Sequence, residues 1–167
     1  YLLELSQDHN IIIKLHGFGW EQKKYQYQNS LCSELSKKSN SIHLLQNEDY
    51  DIIPYYLSAD MLISDISSTL FEYLPMDKPV IQAQCYNLKL KHRIFKKRFW
   101  KKMDIDRQDN VDFAYQIVEA DDILGMVYYA MDNRDEMSTK RKEATEHYLY
   151  KVDGNASSRL IDAIEAY

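Results

Sequence analysis

Ser64-Asp65-Ile66-Ser67-Ser68-Thr69 places a serine pair and a threonine in one row, directly after the apolar run Met61-Leu62-Ile63. If that run is a strand, the hydroxyls lie at its carboxyl end, where open parallel sheets bind ligands. If a helix follows, its first N–H groups and positive end favour phosphate oxygens. Ser67, Ser68 and Thr69 would then add hydroxyl donors to a phosphate cradle. Thr69 and Glu72 also carry the Thr-x-x-Glu spacing of a capping box, which can merely start a helix.

A second group with chemical potential is Lys14-Leu15-His16-Gly17, at the end of the run Ile11-Ile12-Ile13. It offers a cation, a titratable imidazole and a glycine beside which a ligand can approach backbone. Such a histidine can equally be an ordinary surface residue. His43 falls inside an apolar run and reads as packed, whereas His9 and His147 read as surface residues. No Gly-x-Gly-x-x-Gly, Gly-Lys-Ser/Thr or Gly-x-Ser-x-Gly motif occurs, and no His, Asp and Glu set has metal-ligand spacing.

The third group is basic. From Lys89 to Lys102, eight of the 14 residues are Lys or Arg and none is acidic. The other 153 residues carry all 26 acidic side chains against 13 basic ones, a net of −13. Leu90, Ile94, Phe95, Phe99 and Trp100 interleave with the charges. That mixture suits an anionic membrane surface or an anionic polymer, with Lys96, Lys97, Arg98, Lys101 and Lys102 as the contact residues. It also suits a solvated helix docked by its apolar side.

The elements that must position these groups alternate. Ile11–Leu15, Ser41–Leu45, Met61–Ser64 and Pro79–Ala83 read as four short strands. The first is continuously apolar, the pattern of a strand covered on both faces. Between them, Trp20–Lys38, Asp51–Leu57 and Ser67–Leu74 read as helices. Asp51 can cap the second, and Pro54 is tolerated in its first turn. Alternation of this kind predicts an α/β fold: a doubly wound, Rossmann-like parallel sheet with helices on both faces. After residue 115 only helices are expected, over 120–131, 134–150 and 157–167. The serine row and His16 would then share one edge of one sheet.

Composition narrows the class. The chain has 167 residues, 45% hydrophobic and 28% charged, enough for one domain with a buried core. Apolar runs stay far below the roughly 18 residues of a membrane-spanning helix. The net charge of −5 argues against a general nucleic-acid binder. Cys32 and Cys85 are too few for a disulfide framework, which points to a reducing cytoplasm. The start at Tyr1 without Met, and a sheet of four strands, suggest a fragment of a longer protein.

Several segments together resemble the CDP-glycerol glycerophosphotransferases, the teichoic-acid polymerases and primases. These are Asp49-Tyr50-Asp51, Ser58 to Ser68, Phe71-Glu72 and Asp77-Lys78-Pro79-Val80-Ile81. Lys14-Leu15-His16 matches the family's Lys-x-His-Pro with Gly17 in place of proline, and Asp153-Gly154-Asn155-Ala156-Ser157-Ser158-Arg159 resembles its terminal motif. Order and gaps agree from about residue 11 to 165.

The resemblance implies the C-terminal, nucleotide-binding half of a GT-B fold over residues 1–167, with extra C-terminal helices and a partner half upstream. It implies that His16, Ser67 and Ser68 contact a donor diphosphate and that Glu72 meets the ribose; the hydroxyl row itself adds Thr69 to the diphosphate contacts. It implies a CDP-glycerol donor, a lipid-linked or polymeric anionic acceptor, no metal and no other cofactor. His16 would be the catalytic group of this half. The enzyme would be cytoplasmic or peripheral on the inner membrane face. Two other readings fit the same residues: a GT-B glycosyltransferase or nucleotide-sugar epimerase-like protein, and a non-catalytic domain binding an anionic polymer or membrane.

Overall fold

A computed structural model describes residues 1–65, 67–85 and 110–166. The chain forms a mixed α/β protein whose strand pairs, among the described residues, are parallel, the Rossmann-like class that the alternating pattern predicts. It divides into two compact units, Tyr1–Ala59 and Asp60–Tyr167.

In the first unit, α1 (Leu2–Leu5) precedes β1 (Ile11–Ile13), α2 (Phe18–Glu21), α3 (Gln26–Lys38), β2 (Ile42–Leu44) and α4 (Ile53–Ser58). Strand β1 pairs with β2 in the register Ile11↔Ile42, Ile12↔His43 and Ile13↔Leu44. A parallel pair needs a crossover, and α2 with α3 supplies it. The ladder extends at both ends, from the Ile11 N–H to the Ser41 carbonyl at 2.7 Å and from the Leu45 N–H to the Ile13 carbonyl at 2.9 Å.

Several expectations change in this unit. Strand β1 is not covered on both faces: Ile12 is 41% exposed, and its register partner His43 is exposed rather than packed. Paired residues share a face of the sheet, so one open face accounts for both. The helix expected over 20–38 is broken, because Gln22 is extended at φ −97° and ψ 121°. The polar run Glu21-Gln22-Lys23-Lys24 has no apolar side chain to hold that turn on a core. In α4 Pro54 sits in the first turn as expected, but the cap residue is Ile52 rather than Asp51, whose Oδ1 instead accepts the Ile53 N–H at 3.0 Å from just ahead of the helix.

The second unit carries β3 (Leu62–Ser64), α5 (Thr69–Glu72), a 3-10 turn (Leu74–Met76), β4 (Val80–Ala83) and β5 (Tyr115–Ile117). A second 3-10 turn (Ala120–Asp122) leads into α6 (Ile123–Asp132), α7 (Ser138–Leu149) and α8 (Ala156–Glu165). The sheet order is β3-β4-β5. Central β4 is accordingly the best covered, with Val80, Ile81 and Gln82 all buried. Leu70, Tyr73, Leu74, Val111, Phe113 and Ile117 complete the core.

Strand β5 corrects the expectation that only helices follow residue 115. Val111, Phe113, Tyr115 and Ile117 are buried while Asp112, Gln116 and Val118 are exposed, a period of two. The four predicted strands do not share one sheet either. Strands β1 and β2 form one sheet, and β3 and β4 join β5 in another. The helix expected over 67–74 is two pieces, α5 and a 3-10 turn in which Pro75 sits near the start. The three C-terminal helices are present as predicted, within a few residues.

Candidate functional site

The serine row lies where the sequence places it, between the carboxyl end of β3 and the start of α5. Its hydroxyls are already organised. Ser64 Oγ and Thr69 Oγ1 are 3.0 Å apart, a hydrogen bond closing the turn across its base. Ser67 Oγ accepts the Thr69 N–H at 3.3 Å. Ser68 is exposed and is the N-cap residue, its carbonyl accepting the Phe71 and Glu72 N–H groups at 3.0 Å each.

The Thr-x-x-Glu capping box is therefore not formed. Thr69 is the first helical residue rather than the cap, and its hydroxyl is drawn back to Ser64. The four-residue α5 carries little dipole, so donors in this turn are chiefly side-chain hydroxyls. Glu72, at the last position of α5, is exposed. Helix α5 is held from the other side by Phe71, whose ring meets Phe113 at 5.5 Å and Tyr148 at 4.8 Å, both edge-on.

His16 belongs to the first unit, three residues beyond β1, and is exposed. Its Nδ1 accepts the Phe18 N–H at 3.1 Å. A neutral imidazole that accepts at Nδ1 carries its proton on Nε2, so Nε2 is the atom that can donate to an anion. The ring lies 4.4 Å from that of Phe18, which stacks on Tyr25. Lys14 is engaged locally: its Nζ donates to the Asp49 carbonyl at 2.6 Å. Gly17 has φ −47°, an ordinary right-handed value, so the turn does not require glycine there.

His16 and the serine row thus belong to different sheets in different units, not to the edge of one sheet. Lys96, Lys97, Arg98, Lys101 and Lys102 lie outside the described residues. Among the described residues, no group of three or more His, Cys, Asp or Glu side chains could hold a metal ion.

Two arrangements escaped the sequence reading. Asp77, left-handed at φ 47°, receives Ser138 Oγ at 2.8 Å and Arg141 Nε at 2.9 Å, tying α7 to the turn before β4. Burial pushes its carboxyl up, but the bonds from Ser138, Arg141 and Lys142 outweigh that and hold it below the ordinary carboxylate range. The other is a row of carboxamides, Gln82, Gln84 and Gln116, beyond Ser64 on the same sheet. Alternating glutamines among apolar residues were the available signal.

The terminal motif also acquires a local explanation. Gly154 is left-handed at φ 74°, and Asp153 Oδ1 accepts the Asn155 N–H at 3.0 Å. Arg159 Nη1 reaches both Asp153 oxygens, at 2.7 and 2.9 Å, clasping the turn to the first turns of α8.

A parallel α/β chain with a hydroxyl-lined turn after β3 falls in the Rossmann-like class. More narrowly, it belongs to the family described as CDP-Glycerol:Poly(glycerophosphate) glycerophosphotransferase, whose model matches residues 2–166. That is a transferase family, and the chain is a member of the enzyme class the resemblance implied. No curated protein and no solved structure matches the chain significantly.

Proposed function

We propose that this chain is the donor-binding half of a transferase that moves glycerol phosphate, or a related polyol phosphate, from CDP-glycerol to an acceptor hydroxyl. The observation that carries this reading is the family match over almost the whole chain, with the Ser67-Ser68-Thr69 turn at the carboxyl end of a parallel strand. In the reaction, the acceptor oxygen attacks the β-phosphorus. The bond from that phosphorus to the bridging oxygen breaks, CMP leaves, and the acceptor proton passes to a base in the partner half of the GT-B enzyme.

Within the second unit, Ser67 and Ser68 donate to the diphosphate while Thr69 holds the turn through Ser64. Glu72 accepts from ribose hydroxyls. Within the first unit, His16 donates from Nε2 and so stabilises charge developing on the phosphate of the departing CMP. The acceptor is a polymeric or lipid-linked anionic chain of the teichoic-acid type, gathered by the basic segment 89–102 at the inner membrane face. Among the described residues no helix is long and apolar enough to cross a membrane.

Calorimetric titration tests the donor assignment. CDP-glycerol and CDP should bind, and UDP-sugars should bind at least tenfold more weakly. Preference for a UDP-sugar would replace this reading with that of a glycosyltransferase.

A further inference from the structure

Ser64, Gln82 and Gln116 are register partners across β3, β4 and β5, so they form one polar line on one face near the carboxyl edge of the sheet. Gln84, two residues beyond Gln82, falls on the same face. Its Nε2 donates to Gln82 Oε1 and to Gln116 Oε1, both at 3.1 Å. Gln116 Nε2 in turn donates to the Val111 carbonyl at 3.1 Å.

These bonds fix which end of each carboxamide is spent. Gln82 turns its oxygen to Gln84 and is left with its nitrogen. The residue is 0% exposed, and its Nε2 has no hydrogen-bond partner. A buried amide donor without an acceptor is unfavourable, and the interior of a central strand ordinarily holds an aliphatic side chain in its place. The other three residues of β4, Val80, Ile81 and Ala83, are aliphatic. Three glutamines that could have been apolar are instead bonded together, in register with Ser64, and leave one buried amide donor unspent near the carboxyl edge of the sheet.

We infer that Gln82, Gln84 and Gln116 form a subsite for an uncharged, acceptor-bearing part of the donor, with Gln82 Nε2 as the recognising atom. This rests on the donor-binding reading above and deepens it. A carboxamide donor suits a neutral oxygen or ring nitrogen, not a phosphate, for which the hydroxyl turn beside Ser64 stands ready. The chemistry fits a pyrimidine carbonyl of the nucleotide or a hydroxyl of the polyol.

The test compares wild type with Gln82→Met, which keeps volume and removes the donor, and with Gln84→Met, which removes the residue that orients it. Affinities for CDP-glycerol, CMP and glycerol 3-phosphate are measured by calorimetry, with melting midpoints taken without ligand. Both variants should fold and lose about three- to tenfold in affinity for CDP-glycerol, the worth of one neutral hydrogen bond. A matching loss for CMP alone assigns the base carbonyl, and one for glycerol 3-phosphate alone assigns the polyol. Unchanged affinity for all three in the folded variants, while Ser68→Ala still weakens CDP-glycerol, overturns the subsite and leaves the donor site standing. Absence of CDP-glycerol binding by wild type overturns both. If Gln82→Met does not fold, the Gln84→Met result decides alone.

Discussion

Arg141 is fully buried, yet it spends its guanidinium on Asp77: Nε donates to Oδ1 at 2.9 Å and Nη2 to the backbone carbonyl at 3.0 Å. Nη2 also reaches the Arg134 carbonyl at 2.8 Å, so one side chain joins three points of the second unit. The turn it grips leads through Pro79 into β4, the strand both neighbours pair with.

Removing Arg141 should therefore cost stability rather than chemistry. Breaking one side of a buried ion pair costs about 3–5 kcal/mol. Asp77 is 33% exposed at its side chain, so Arg141→Met should fall near the low end, about 3 kcal/mol. Urea unfolding measures it. A loss below about 1 kcal/mol would mean that water replaces the contact.

The same carboxylate gives the fold a one-sided pH response. Asp77 titrates below its ordinary value, so the folded state favours the ionised form. Its contribution is complete above about pH 3.9, the value in the unfolded chain, and fades as pH falls through the lower folded value. Asp77→Asn should flatten the acid limb of a stability-versus-pH curve. An unaltered limb would assign acid unfolding to other groups.

Gly17→Ala should stabilise the first unit. The φ of −47° is open to any residue, and an added Cβ would meet nothing nearer than Glu21 Oε1 at 3.9 Å. Restricting the unfolded chain should add about 0.4–1 kcal/mol, read as a higher urea midpoint. Destabilisation would show that the loop uses another backbone conformation.

The two serines should separate. Ser67→Ala removes the acceptor of the Thr69 N–H and should cost about 0.5–1.5 kcal/mol of stability. Exposed Ser68 makes no side-chain cap bond, so Ser68→Ala should leave the melting midpoint unchanged. Each should weaken CDP-glycerol binding by about 1.5–3 kcal/mol if its hydroxyl meets a charged oxygen. Full affinity in both variants would remove the turn from the donor site.

For the basic segment the readout is sedimentation with liposomes. Changing Lys96, Lys97, Arg98, Lys101 and Lys102 to Gln should abolish binding to anionic vesicles at low salt, at about 1 kcal/mol for each charge near the surface. High salt should weaken wild type likewise. Equal partitioning of the two proteins at both salts would leave a solvated face.

What the sequence made legible was local. Apolar runs at Ile11–Ile13 and Leu62–Ser64, a proline at the entry of α4 and the serine row after β3 all declare themselves within a few residues. What it hid depends on partners far along the chain. Whether Ile12 and His43 are covered is decided by what lies over the β1-β2 face. The grouping of strands into two sheets, and the pull of Ser64 on Thr69 that undoes the capping box, are likewise tertiary. Strand β5 was legible in its period of two, but the alternation was masked by Ala114, which is buried out of phase.

The order β3-β4-β5 also sets a sequence of events in time. Leu62 meets Val80 across a short stretch of chain, whereas Ile81 meets Tyr115 only after a much longer one has closed. The longer closure costs only a few tenths of a kcal/mol more in chain entropy, yet it delivers its strand to an edge that must already exist. The β3–β4 pair, with the serine turn between its strands, is thus the natural nucleus of the second unit, and the glutamine line is completed last.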